Sequence, residues 1–189
     1  MNEDFTKFAE SRGFKPEFLS KFGVRQSVES DDCPDGDWIA IPYRNLNGIW
    51  HYKYRNLDPN GMKYWVPHGS EGHLYNPRLL GPNSDTVWLT EGEFDCLSLI
   101  AIGHDAVGVP GAQGFKEVWK HLYTDSNVIV AYDPDEAGKA GAEKVARLFR
   151  NSHVFDGYPD DGPDLNEWYQ RDANGMWDAI DAWMTGRGL

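Results

Sequence analysis

From Thr86 onward, short apolar runs alternate with amphipathic ones, and this alternation restricts the fold more than any other feature of the chain. TVWLT (86–90), DAVGV (105–109) and NVIVAY (127–132) read as buried strands, and HVF (153–155) as a short fourth. Residues 94–102, 115–122 and 136–149 read as the intervening helices, and 165–171 and 176–184 as two more. Strands separated by helices pair in parallel, with the helices on the faces of the sheet. On the helix at 136–149, Ala137, Gly141, Val145 and Leu148 share one stripe, which is predicted to pack against that sheet.

In open parallel sheets, ligands bind beyond the carboxyl ends of the strands. Acids collect there. VWLTEGEFD places Glu91, Glu93 and Asp95 after the first strand, and VIVAYDPDEAG places Asp133 and Asp135 after the third. YPDDGPDLNEW adds Asp160, Asp161 and Asp164 after the fourth. Converging carboxylates repel one another, and a hard divalent cation, Mg²⁺ or Mn²⁺, relieves that repulsion.

Helix capping is the competing explanation. Asp133 at the N-cap, Pro134 at the first helical position and Glu136 form a good helix start, and Thr90 to Glu93 fits the same formula. Capping leaves Asp135, Glu91 and Asp95 unexplained, and these are the residues a metal would use. Between the second strand and its helix, GVPGAQGF (108–115) reads either as a phosphate cradle using Gly111 and Gly114 or as a simple tight turn.

Upstream, WIAIPY, GIWHYKYR and MKYWV are short aromatic and β-branched runs, with Asn47-Gly48 and Asn60-Gly61 between them. They predict a small antiparallel sheet. Residues 3–11 and 16–22 read as short helices, 26–37 as a polar linker and 76–85 as a loop. The expected division is a helical segment and linker at 1–36, a basic, aromatic-rich β subdomain at 37–83 and an α/β domain at 84–189.

Charge follows this division. Residues 38–80 hold five basic and two acidic side chains, whereas 84–189 hold eight basic and 19 acidic. The overall charge of −12 argues against a general nucleic-acid binder, but the basic island offers a local one. There Arg44, Lys53, Arg55 and Lys63 alternate with aromatic residues, so cations can follow phosphates while rings stack on bases, at about 1–3 kcal/mol per base. Strand alternation turns some of those rings inward as the sheet's own core. Cys33 and Cys96 form no CxxC pair, which excludes a zinc ribbon and a disulfide framework and makes an intracellular protein the default. No apolar run is long enough to cross a bilayer.

TEGEFDCLSL, AYDPDEAG and the acidic loop ending in PDLNEW together resemble the motifs of the TOPRIM domain. That domain is shared by bacterial-type DNA primases, phage and mitochondrial primase-helicases, topoisomerases and some nucleases. IPYRNLNGIWHYKYRNL, MKYWVP and HLYNP resemble the basic subdomain that precedes it in primases, so the resemblance covers about residues 38–170 and is nearest to the primase half of phage primase-helicases. It implies that Glu91 is the signature acid, Asp133 and Asp135 the paired aspartates, Asp95 a supporting acid and Asp164 the third motif. Glu91, Asp133 and Asp135 are then expected to be catalytic, and these with Asp95 and Asp164 to hold Mg²⁺ or Mn²⁺. Arg55 and Lys63 match basic positions near the template or incoming nucleotide, with Arg44 and Lys53 beside them.

The implied activity is synthesis of short RNA primers on single-stranded DNA from ribonucleoside triphosphates. A TOPRIM nuclease and a non-catalytic replication adaptor are the alternatives. The sequence contains no GxxxxGKS or GxxxxGKT motif and no zinc ribbon. A primase core, a truncated chain or a minimal phage protein is therefore expected, with a replicative helicase acting in trans, in the cytoplasm of a bacterial or phage-infected cell.

Overall fold

The computed structural model describes residues 3–45, 48–70, 72–77 and 85–189, which form two compact units, Met1–Gly72 and His73–Leu189. Most of the loop expected at 76–85, and Arg78 with it, lies outside the described residues.

The first unit begins with α1 (Glu3–Ser11) and α2 (Pro16–Lys21). Phe5, Phe8 and Ala9 form the buried face of α1, and Pro16 opens α2, where its missing N–H costs nothing. An antiparallel sheet follows in the order β1 (Arg25–Gln26), β2 (Trp38–Asn45), β3 (Gly48–Asn56), β4 (Tyr64–Trp65). The start of the expected linker thus belongs to the sheet, because Arg25 and Gln26 pair with Ala40 and Ile39. Alternation along β2 sends Ile39 and Ile41 to one buried face, while Trp38 and Ala40 join Tyr54 in a cluster on the other.

The second unit holds a parallel sheet in the order β6-β5-β7-β8, formed by β5 (Thr86–Glu91), β6 (Ala106–Val109), β7 (Asn127–Ala131) and β8 (Ser152–Val154). Val87, Leu89, Val128 and Val130 pack with Ala142 and Val145 of α4 (Glu136–Ala146) on one face. On the other face, Trp88 meets Phe155 and Trp183 of α5 (Leu165–Thr185), with ring centroids 5.3 and 6.1 Å away. Each fully buried Val or Leu among them contributes roughly 1.5–3 kcal/mol. Helix α3 (Glu93–Ala101) links β5 to β6, and a two-way hydrogen-bonded bridge from Tyr75 to Gly108 adds a fragment of antiparallel pairing at β6.

Three local expectations change. The element expected at 115–122 is a 3₁₀ helix, Glu117–Leu122. The buried stripe of α4 is Gly138, Gly141, Ala142 and Val145; Ala137 faces solvent because the helix starts at Glu136 with Gly138 turned inward. The two C-terminal helical segments run together as α5 but are broken at Asp172, whose φ of −159° is non-helical and whose carboxylate accepts the Gly175 N–H. Among the described residues, no helix is long and apolar enough to cross a membrane.

Candidate active site

Strand β5 has β6 on one side and β7 on the other, so the chain leaves β5 toward one edge and returns across it to the other. The carboxyl ends of β5 and β7 therefore flank the switch point, where α/β sheets bind ligands. Glu91 closes β5, and Asp133 follows β7 by two residues. The half-buried Glu91 carboxylate accepts backbone N–H groups from Ala112 and Asp133. Burial pushes its carboxyl up and Asp135 adds to this, against the lowering effect of the two N–H groups. Asp133 is pushed up to about 7, first by burial and then by the charges of Glu91, Asp164, Asp135 and Glu167. Among the described residues, no lysine or arginine pairs with Glu91 or Asp133.

The other predicted acids are engaged with helix ends. Asp135 is the N-cap of α4 and accepts the Gly138 N–H at 2.7 Å. Asp164 is the N-cap of α5 and accepts the Glu167 N–H at 2.7 Å. Asp95, in the first turn of α3, accepts the Asn166 N–H at 2.9 Å and so ties α3 to the start of α5. Asp160 and Asp161 are exposed, and Asp161 pairs with Arg171. Among the described residues, no three His, Cys, Asp or Glu side chains are gathered closely enough to hold a metal ion between them.

In the first unit, three of the four predicted cations surround one ring. Lys53 Nζ, Arg55 Cζ and Lys63 Nζ lie 4.2, 5.0 and 5.7 Å from the Tyr64 centroid. Lys53 and Arg55 share a face of β3, and Arg55 is the register partner of Tyr64. Arg44 is not part of this group: a bulge between Tyr43 and Arg44 redirects it, and its guanidinium lies against Gly23. Of the aromatic residues, Tyr43 and Tyr54 are core, whereas Trp50 is 58% exposed.

A family model described as Toprim-like matches residues 88–169. The gene 57 protein of Mycobacterium phage D29 is 34% identical over 123 residues, 62% of this chain and 81% of that protein. The chain carries a Toprim domain and belongs to one family with that phage protein. Its fold is that of primase catalytic cores. The primase fragment of the bacteriophage T7 primase-helicase protein superposes with a TM-score of 0.70 at 22% identity, covering 88% of this chain and 70% of that one. A DnaG primase catalytic domain bound to single-stranded DNA gives 0.73 at 18%, covering 97% and 71%.

Within the Toprim domain, the capping residues are not those the motifs suggested. Thr90 cannot cap α3: it is still in the sheet, fully buried, with its hydroxyl directed to the Gly92 and Val107 carbonyls. Gly92 occupies the N-cap position at φ 99°, a conformation that favours glycine. At α4 the cap is Asp135 rather than Asp133, which leaves Asp133 as the uncommitted acid. The GVPGAQGF loop makes tight turns, with Gly111 and Gly114 N–H groups bonded to the Val109 and Gly111 carbonyls. Its Ala112 N–H is directed at Glu91.

Tyr158 had no sequence signal. Its hydroxyl donates to the Tyr132 carbonyl at 2.7 Å, and burial together with Asp95, Asp133, Asp164 and Glu91 holds its phenol far above the ordinary range. Asn166, buried in the first turn of α5, donates to Ser98 at 3.0 Å and was equally silent.

Proposed function

We propose that the chain is the catalytic core of a DNA-dependent RNA primase that joins ribonucleoside triphosphates into short primers on single-stranded DNA. One observation carries this reading. Glu91 and Asp133 meet beyond the carboxyl ends of adjacent strands, in a half-buried pocket where the strongest charges acting on Asp133 are all negative. Such a pocket repels anionic nucleotides until a cation enters it. The Toprim domain and the fold shared with primase cores support the same reading.

The donors fit Mg²⁺ or Mn²⁺. They are carboxylate oxygens only, and Asp133 holds a proton near pH 7 in a place where a cation can replace it. Mg²⁺ is commonly held by one or two carboxylates, with waters and substrate phosphates completing its shell, so two acids suffice without a closed cage. Glu91 and Asp133 would hold the ion, Asp135 would deepen the field, and Asp95 and Asp164 would add charge while fixing the start of α5. When bound, divalent ions activate the 3′-hydroxyl and stabilise the leaving pyrophosphate. The 3′-oxygen bonds to the α-phosphorus, the bond from that phosphorus to pyrophosphate breaks, and the hydroxyl proton passes to water.

Template binding falls to the cations around Tyr64. Lys53, Arg55 and Lys63 meet phosphates, and exposed Trp50 offers a face for stacking, while Arg44 is peripheral. A replicative helicase acting in trans would deliver single-stranded template in the cytoplasm of a bacterial or phage-infected cell.

The test is incubation of the chain with labelled ribonucleotides and a single-stranded template, with and without Mg²⁺ or Mn²⁺. Short oligoribonucleotides that require metal are expected. Template degradation without product would indicate a nuclease, and DNA binding with neither would indicate an adaptor; either result overturns the proposal.

A further inference from the structure

A single peptide unit, Tyr132–Asp133, is held from both sides. Its carbonyl accepts the Tyr158 hydroxyl at 2.7 Å, and its N–H donates to the Glu91 carboxylate. In a trans peptide the C=O and N–H point in opposite directions, so two such bonds fix the rotation of the whole plane. That plane carries the Asp133 Cα, so its rotation determines where the Asp133 carboxylate lies relative to Glu91.

The phenol takes over where the sheet stops. The last β7–β8 ladder bond runs from the Phe155 N–H to the Val130 carbonyl at 2.9 Å, and β8 has already ended at Val154. Two residues on, the Tyr132 carbonyl would need another strand residue opposite it. Tyr158 supplies a side-chain donor instead. Its ring has a packed seat: Phe155 meets it edge-on with centroids 4.9 Å apart, and Phe155 in turn packs against Trp88 and Trp183 at 5.3 and 5.1 Å. Gly157 allows this approach, since a Cβ there would meet the Phe155 ring at 3.0 Å and Trp183 at 3.1 Å.

We propose that Tyr158 is a positioning residue for the metal-binding acids, its hydroxyl setting the Tyr132–Asp133 peptide and thereby the separation of the Glu91 and Asp133 carboxylates. The inference rests on the metal-dependent reading above. In that reading Tyr158 touches neither substrate nor metal itself. It acts on Asp133 as the outer hydrogen-bonding partners of metal ligands do, and their loss commonly costs about 10–100-fold in metal affinity or activity.

The experiment compares Mn²⁺ binding, followed by the paramagnetic resonance of free Mn²⁺, in the wild type, Tyr158→Phe and Ile180→Ala. Phenylalanine keeps the ring and its seat and removes only the donor. Ile180→Ala truncates a fully buried core residue of the same unit. Tyr158→Phe is expected to weaken Mn²⁺ binding about tenfold and to lower kcat for primer synthesis with little change in KM for template, while the melting temperature falls by only about 2–4 °C. Ile180→Ala is expected to lower the melting temperature more and leave Mn²⁺ affinity unchanged. Equal Mn²⁺ affinity in Tyr158→Phe and wild type overturns the proposal, as does a matching loss in Ile180→Ala.

Amide exchange of the wild-type protein provides a second measurement that needs no variant. The Asp133 N–H is expected to be protected without metal, and exchange as fast as that of an exposed loop amide would overturn the clamp. A wild type that binds no Mn²⁺ would sink the metal reading instead, and the exchange result then decides the clamp alone.

Discussion

The Asp133 main-chain N–H is bonded to the carboxylate of Glu91, so the two acids are joined through backbone as well as by proximity. The bond places one negative group against the amide of the residue carrying the other. Their mutual repulsion is then built into the pocket, and under the proposed function a cation would be the partner that removes it.

Glu91→Gln and Asp133→Asn are expected to reduce primer synthesis at least about 100-fold, in line with the loss of a metal ligand. Circular dichroism should show the fold intact. At pH 8 without metal, Asp133→Asn should melt at a higher temperature than the wild type, because it removes an ionised group that burial and neighbouring acids disfavour. A lower melting temperature would contradict the proposed electrostatics.

The pH dependence has a definite sign. Asp133 titrates near 7 in the folded protein, above its unfolded value of roughly 4, so between those limits the native state holds the extra proton. This group's contribution to metal-free stability is complete below about pH 4 and is lost as pH rises through 7. A metal bound by Asp133 would have to displace the same proton. Calorimetry of Mg²⁺ binding in buffers of different ionisation enthalpy should show clear proton release at pH 6 that has almost vanished at pH 9.

Asp135 and Asp164 separate capping from charge. Asparagine caps nearly as well as aspartate, whereas alanine costs about 0.5–2 kcal/mol. Asp135→Ala and Asp164→Ala should destabilise the protein by that amount in urea melts. Asp135→Asn should keep the stability but lose about tenfold in synthesis, because Asp135 acts on both Glu91 and Asp133 through its charge. Full activity in Asp135→Asn would confine this residue to capping.

The cations around Tyr64 predict a salt signature. Replacing Lys53, Arg55 or Lys63 by alanine should weaken single-stranded DNA binding and reduce the slope of log affinity against log salt by about 0.7 each. Arg44→Ala, outside that group, should change the slope less. Fluorescence anisotropy at several NaCl concentrations measures both quantities.

The elements that position the site were legible because burial writes itself into sequence: TVWLT and NVIVA are apolar on both faces, as strands covered by helices must be. Glu91 and Asp133 were legible from their place at the ends of those strands. The caps were not. DPDEAG permits a cap at Asp133 opposite Glu136 or at Asp135 opposite Gly138, and spacing alone does not choose. The residues that touch this turn are distant in sequence: the peptide before Asp133 is bonded to Glu91 and Tyr158, and the helix starts after it with Asp135 as its cap. Tyr158 and Asn166 acquire roles only once β8 and α5 stand beside β7 and α3, so no local pattern announces them.

The close approach of α4 to the Asp133 backbone depends on Gly138, where a methyl group would run into the Asp133 carbonyl and main-chain nitrogen. Space, as much as charge, therefore governs which relatives of this chain can keep the pocket. A library randomised at positions 137 and 138 and selected for primer synthesis should return glycine almost alone at 138, while the solvent-facing Ala137 position accepts many residues.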